Sequence, residues 1–262
     1  MKGLFATALG GLLSVSVALA DDCTVQLPAW LELAHPGQAD GAWLQDERGA
    51  YRVDAEQSIC KTWPARPQLT LLAVPLVREA QSDQGRSDLE ILVLDHKKQD
   101  VVARLIQPNL LDWDAIYVDR LVLDTAPYRL RGDDLAFGVR ISRRNGSRMN
   151  PFAETELALY ELKAQGLHPL MGGLVVESFG GERDDACTAS FGEAKGVLIV
   201  TDKVGRDGYR DLIFKRTHTG RQMMAADGEC QTIEADARRV QFRIEYAEER
   251  YLLPIELVSD PL

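Results

Sequence analysis

The chain has 262 residues, with 40 acidic against 30 basic and a formal net charge of −10. That is room for one large β domain or two small ones. The acidic excess argues against nucleic acid and anionic lipid as partners, since both would repel it, and fits a solubilising surface or a basic partner.

Residues 1–20, MKGLFATALGGLLSVSVALA, carry one charge, Lys2, then an apolar run ending in a small–x–small site at Ala18–Ala20. This is the layout of a signal peptide, and it predicts export to the periplasm. Cys23 lies too far past the cut for lipidation. No later stretch is apolar and long enough to span a bilayer as a helix, so no membrane insertion is expected. The four cysteines, Cys23, Cys60, Cys187 and Cys230, all follow the leader and form no C-x-x-C pair, which favours disulfides over zinc or redox chemistry. Of the three connectivities, Cys23–Cys60 with Cys187–Cys230 is preferred, because each pair brackets a polar, turn-rich stretch.

Residues 21–68 read as an irregular, strand-poor segment, broken by Pro28, Pro36, Pro64 and Pro67, with a short helix near Asp54–Ile59. A β domain follows over 69–262. Leu69–Val77 is strand-like, with Pro75 marking an edge or bulge. Leu89–Asp95 and Val101–Ile106 flank a polar turn and predict a hairpin. Further hairpins are expected from Ile116–Asp124 with Leu135–Ser142, and from Leu157–Leu162 with Leu167–Val176. Two more come from Val197–Val200 with Asp211–Lys215, and from Val240–Tyr246 with Tyr251–Ile255. Helical periodicity is nearly absent. The class is all-β, built from antiparallel hairpins in a propeller-like or partial-propeller arrangement, with a β-sandwich as the alternative.

No cofactor is expected, and one turn alone raises calcium. Asp202–Phe214 reads DKVGRDGYRDLIF, and its Asp207-Gly208-x-x-Asp211 resembles the calcium loop of FG-GAP or VCBS-type repeats in integrin-like β-propellers. The resemblance covers about a dozen residues, and it implies Asp207 and Asp211 as calcium ligands. Lys203 and Gly205 occupy the positions of the first and third ligands. The preferred reading of the segment is a tight Asp-Gly turn capped by Asp211. The segments Ala136–Ser142 and Cys187–Phe191 are also similar to exported proteobacterial β-proteins of no assigned activity.

No catalytic constellation is visible. His35, His96, His168 and His218 are widely spaced and read as surface turn residues, and no H-x-x-x-H, G-x-S-x-G, P-loop or G-x-G-x-x-G occurs. Ser147 falls in a loop, and the acidic pairs Asp133–Asp134 and Asp184–Asp185 read as solvated turns. Arg140, Arg143, Arg144 and Arg148 form the most positive cluster, a candidate patch for an anionic glycan, a phosphate or an acidic surface, or else a solvated hairpin tip. The expected function is a non-catalytic periplasmic binding or inhibitory protein acting on a protein partner, such as an inhibitor of a cell-wall hydrolase or a toxin-immunity protein. A hydrolase with a carboxylate/His site and an envelope structural or adaptor module are the alternatives.

Overall fold

The computed structural model describes residues 23–38, 41–184, 187–227 and 229–258; the leader expected at 1–20 lies outside them. Among the described residues the protein is all-β apart from one α-helix and short 3₁₀ turns.

The continuous apolar run that begins at Leu69 has a simple cause: both faces of its strand are buried. β4 (Leu69–Ala80) pairs with β5 (Gly85–Asp95), and β5 pairs with β6 (Asp100–Gln107). Leu71, Ala73, Leu89, Ile91 and Val93 point to one side. Leu72, Val74, Leu76, Leu92 and Leu94 point to the other. The period-2 signal vanishes when inward and outward positions are equally apolar.

The segment expected to be irregular contains α1 (Cys23–Ala34), β1 (Leu44–Asp46), β2 (Gly49–Val53) and β3 (Ile59–Thr62). α1 covers the face that carries Leu72 and Leu92, while β1, β2 and β3 extend the same sheet alongside β4. Pro28 lies inside α1, at the cost of one backbone hydrogen bond. Burial of Trp30, Leu31 and Ala34, together with the Cys23–Cys60 disulfide to β3, holds the helix in place. The helix expected near Asp54–Ile59 is instead a turn, in which Asp54 accepts the Gln57 N–H. Pro75 sits inside β4, in the gap between its two partners on that side: β3 pairs with residues 70–73 and β2 with residues 76–77. No ladder bond is lost there, so proline is tolerated in a central strand.

The other face of β4–β5 packs on a seven-stranded antiparallel meander. Its strands are β7 (Ile116–Arg131), β8 (Asp134–Asn145), β9 (Phe152–Lys163), β10 (Gly166–Arg183), β11 (Ala189–Val204), β12 (Arg210–Ala226) and β13 (Glu229–Ile244), in that order. The hairpins anticipated between β5 and β6, β7 and β8, β9 and β10, and β11 and β12 are all present. The fifth, expected from Val240–Tyr246 with Tyr251–Ile255, shrinks to β14 (Tyr246–Ala247) with β15 (Arg250–Tyr251), because Val240–Ile244 is absorbed into β13. Phe137 packs edge-on against Trp63 at 5.3 Å and lies 5.9 Å from Tyr160, anchoring the two sheets.

The meander curls. Register shifts in β10 around Met171, Leu174 and Glu177 bend it. The ends of β7 and the β12 turn meet in a backbone bridge between Arg131 and Tyr209. Leu157, Leu159, Leu174, Leu212, Phe214 and Ile244 fill the closed end. Tyr209 seals it. It stacks on Tyr246 at 3.8 Å, donates its hydroxyl to Glu161 at 2.6 Å, and lies under Arg131. Burial and the Glu161 carboxylate push the Tyr209 phenol up to about 12. At the other end the outer strands are largely solvent-exposed, and the Cys187–Cys230 disulfide ties the turn after β10 to the start of β13. Among the described residues no helix is long and apolar enough to cross a membrane.

Phe137 is 0% exposed and touches both sheets. Phe137→Ala should cost about 3–5 kcal/mol. Urea denaturation followed by circular dichroism should show it as a lower midpoint with an unchanged slope.

Candidate functional site

β6 leaves β5 after Leu89↔Gln107, exposing the edge of residues 85–88. The chain turns at Asn109, which has φ +57°, and runs back along that edge. Asn109 N–H donates to Asp88 Oδ1 at 2.8 Å, and Leu111 N–H donates to the Ser87 carbonyl at 2.9 Å. Ser87 N–H donates to Asp112 Oδ1 at 2.9 Å. Gly85 and Trp113 exchange two backbone bonds of 2.8 and 3.0 Å. The return segment is therefore laced to β5 like an extra strand, although its sequence carries no strand pattern.

This lacing forms one wall of a recess of about 460 Å³. Asp112, Trp113 and Asp114 come from the return segment, and Glu79, Gln84 and Arg86 from the β4–β5 hairpin; Arg143 of β8 closes the base. The Trp113 indole lies directly over Gly85. A Cβ on Gly85 would fall 2.6 Å from Trp113 Cε2 and 2.9 Å from the Glu79 carbonyl oxygen, so only glycine seats the indole there. Arg143 forks between Glu156 and the Leu110 carbonyl, the latter at 2.7 Å, and fastens the return segment to the meander.

Asp88 anchors the same wall from below. It is 0% exposed and takes Arg78 Nε at 2.7 Å and Arg48 Nε at 3.2 Å, besides Asn109 N–H. Arg78 continues to Asp46 at 2.7 Å. Burial alone would raise the Asp88 carboxyl, but the Asn109 N–H and the two guanidinium groups outweigh it and hold the group below its ordinary value of 3.8. Beside it, Glu90 is also fully buried, with His35 Nε2 at 2.6 Å and Arg104 Nε at 3.1 Å. His35 was expected at the surface; it is 2% exposed, because the end of α1 packs it against Tyr51 and Glu90. A charge inside a strand as apolar as DLEILVLD was the available signal for these buried acids.

The arginine cluster does not form one positive patch. Arg140 pairs with Asp124 at 2.7 Å, Arg143 with Glu156, and Arg144 with Asp119 at 2.7 Å, while Arg148 is exposed on the loop between β8 and β9. Arg143 and Arg144 do share a second, shallower depression of about 200 Å³, with Glu177, Phe179 and Lys195 on its far side. Arg143 thus stands between two recesses. Ser147 accepts the Asn150 N–H and shapes the loop. Asp133 and Asp134 face Arg129 and Arg131 at the β7–β8 turn, and Asp185 lies outside the described residues.

At the Asp-Gly turn, Asp207 adopts φ +53° and Gly208 φ +79° within a 3₁₀ turn, Arg206–Gly208. Asp211 is 3% exposed, and its Oδ2 receives Arg243 at 2.6 Å and Lys203 at 3.4 Å. A carboxylate already matched to two cations does not fit a hard divalent ion. Among the described residues no three acidic, histidine or cysteine side chains converge as a metal site.

The depressed carboxyls of Asp46, Asp88 and Asp124 fix the sign of the acid response. Each contributes stability above the ordinary value of 3.8, and that stability is lost as pH falls through the lower folded value. Chemical denaturation between pH 6 and pH 2 should show the midpoint falling mainly below about pH 4. Asp88→Ala, which removes one of the two carboxylates on Arg78 and leaves the Asn109 N–H without its acceptor, should cost about 1–3 kcal/mol at pH 7.

Gly85→Ala should displace Trp113 while the fold persists. Its expected cost is about 1–3 kcal/mol, with altered tryptophan emission. Emission and circular dichroism spectra of the purified variant check both parts.

Comparison with protein-family models, with curated proteins and with solved structures returns no match.

Proposed function

We propose that the protein is a non-catalytic binding protein of the periplasm that engages a protein partner, for instance as an inhibitor of a cell-wall hydrolase or as a toxin-immunity protein. The observation that carries this reading is the recess beneath Trp113. Its wall is held by backbone bonds to β5, by the buried Asp88 cluster and by Arg143. Such a wall keeps its shape without a ligand, which lowers the entropic cost of binding. Rigid aromatic side chains in recesses are the usual anchors of protein interfaces. Two disulfides suit an oxidising compartment. The net charge of −10 favours association with a basic surface.

Affinity capture of the full chain from its native envelope fraction, followed by reconstitution with the purified partner, tests this reading. The expected result is one partner bound at a fixed ratio, with binding weakened at least tenfold by Trp113→Ala. Absence of any saturable partner, or turnover of a substrate by the purified chain, would overturn it.

A further inference from the structure

We infer that the Trp113 recess receives an arginine side chain from a basic segment of the protein partner; this rests on the binding reading above and names the chemistry of its ligand. The argument starts from the charges that line the recess. Its two cations are already matched. Arg86 pairs with Glu79 at 3.2 Å, and Arg143 pairs with Glu156. Its two remaining carboxylates are not. Asp112 and Asp114 each spend one oxygen on a backbone N–H, of Ser87 at 2.9 Å and of Ile116 at 2.8 Å. Among the described residues neither is paired with a cation. The backbone bonds fix where these carboxylates point and leave their negative charge uncompensated. An anionic ligand would have to displace Glu79 or Glu156 and face both aspartates. A neutral one would gain nothing from them. A cationic one completes the set.

The aromatic wall narrows the choice among cations. Trp113 is half-buried, seated over Gly85, and flanked by both aspartates in sequence. A guanidinium stacks flat on an indole and still offers in-plane N–H donors to carboxylates at its edge. An ammonium can satisfy only one of these demands well. Gln81 and Gln84 on the hairpin add amide groups able to meet the backbone on either side of the inserted residue. A volume near 460 Å³ admits one long side chain with its flanking peptide groups, and it is open enough to be entered by a protruding loop.

The test uses the intact protein with four short blocked peptides that differ at one position: arginine, citrulline (the neutral isostere), lysine and glutamate. Free arginine is a fifth ligand. Two-dimensional NMR follows the indole N–H of Trp113, assigned by its loss in Trp113→Phe. The arginine peptide should shift that signal saturably. Citrulline should bind at least fivefold more weakly, lysine more weakly than arginine, and glutamate not at all. Free arginine should bind less well than the blocked peptide, because its carboxylate faces Asp112 and Asp114. Asp112→Asn with Asp114→Asn should reduce arginine-peptide affinity several-fold and flatten its salt dependence. Equal binding of arginine and citrulline, or preference for glutamate, would overturn the inference, and isothermal titration calorimetry on the unsubstituted protein reads both outcomes without any variant. Tighter binding of free arginine would make the occupant a small metabolite and would equally overturn it. Failure here is distinct from failure of the binding reading. A captured partner whose binding ignores Trp113→Phe and millimolar arginine peptide leaves that reading standing and removes this one.

Discussion

A single buried carboxylate, Asp88, is where three parts of this molecule meet. It lies in β5, between two apolar faces, where an unpaired charge would be prohibitively costly. Two arginines and one backbone N–H satisfy it, each from a different place: Arg78 from the neighbouring strand, Arg48 from the β1–β2 turn, and Asn109 from the return segment. The β1–β2 turn, the central strands and the recess wall are therefore tied to one side chain. Hydrophobic burial on both sides of β4–β5 supplies bulk stability, but it is indifferent to register. The Asp88 cluster is directional and selects how the return segment lies along β5.

The legibility of the sequence follows the same division. Hairpins were readable where a polar turn parts two strand-like runs, as in β5–β6 and β9–β10. Alternation itself shows only where a strand is half-buried, as along parts of β7, because one face then meets water and imprints a period of two. The segment 21–68 was misread for a definite reason. β1, β2 and β3 are three to five residues long and become strands only by pairing with β4 or with each other. Pro28 hides a helix that survives on tertiary burial and a disulfide. The far ends of β12 and β13 were invisible because both faces largely meet solvent, which leaves no apolar rhythm to detect.

The site was the least legible part. Its wall depends on backbone bonds between Gly85 and Trp113, and backbone pairing across such a distance leaves no residue pattern. Arginines were noticed as a cluster because sequence counts charges. Asp124, Glu156 and Asp119, which neutralise three of them, come from other strands of the meander. The Asp-Gly turn was correctly seen as a turn, while Arg243, which occupies the Asp211 carboxylate, comes from β13 and could not be placed from the local motif. The cysteine pairing was readable because each pair joins segments close in the chain.

The seven-stranded meander pairs every strand with its neighbour in the chain. Such a sheet can grow outward one hairpin at a time, each new strand docking on the last, so little loop-closure entropy stands in the way. Its hazard is the final edge. β13 is added last, and its outer side pairs with no other strand among the described residues. That edge carries Glu234, Asp236, Arg238 and Arg239 in close succession, and its pairing with β12 slips between His218 and Gly220. Mixed charge and a break in register are the features that discourage a foreign strand from continuing a sheet. The open edge left by the last strand is thereby kept unattractive to other chains.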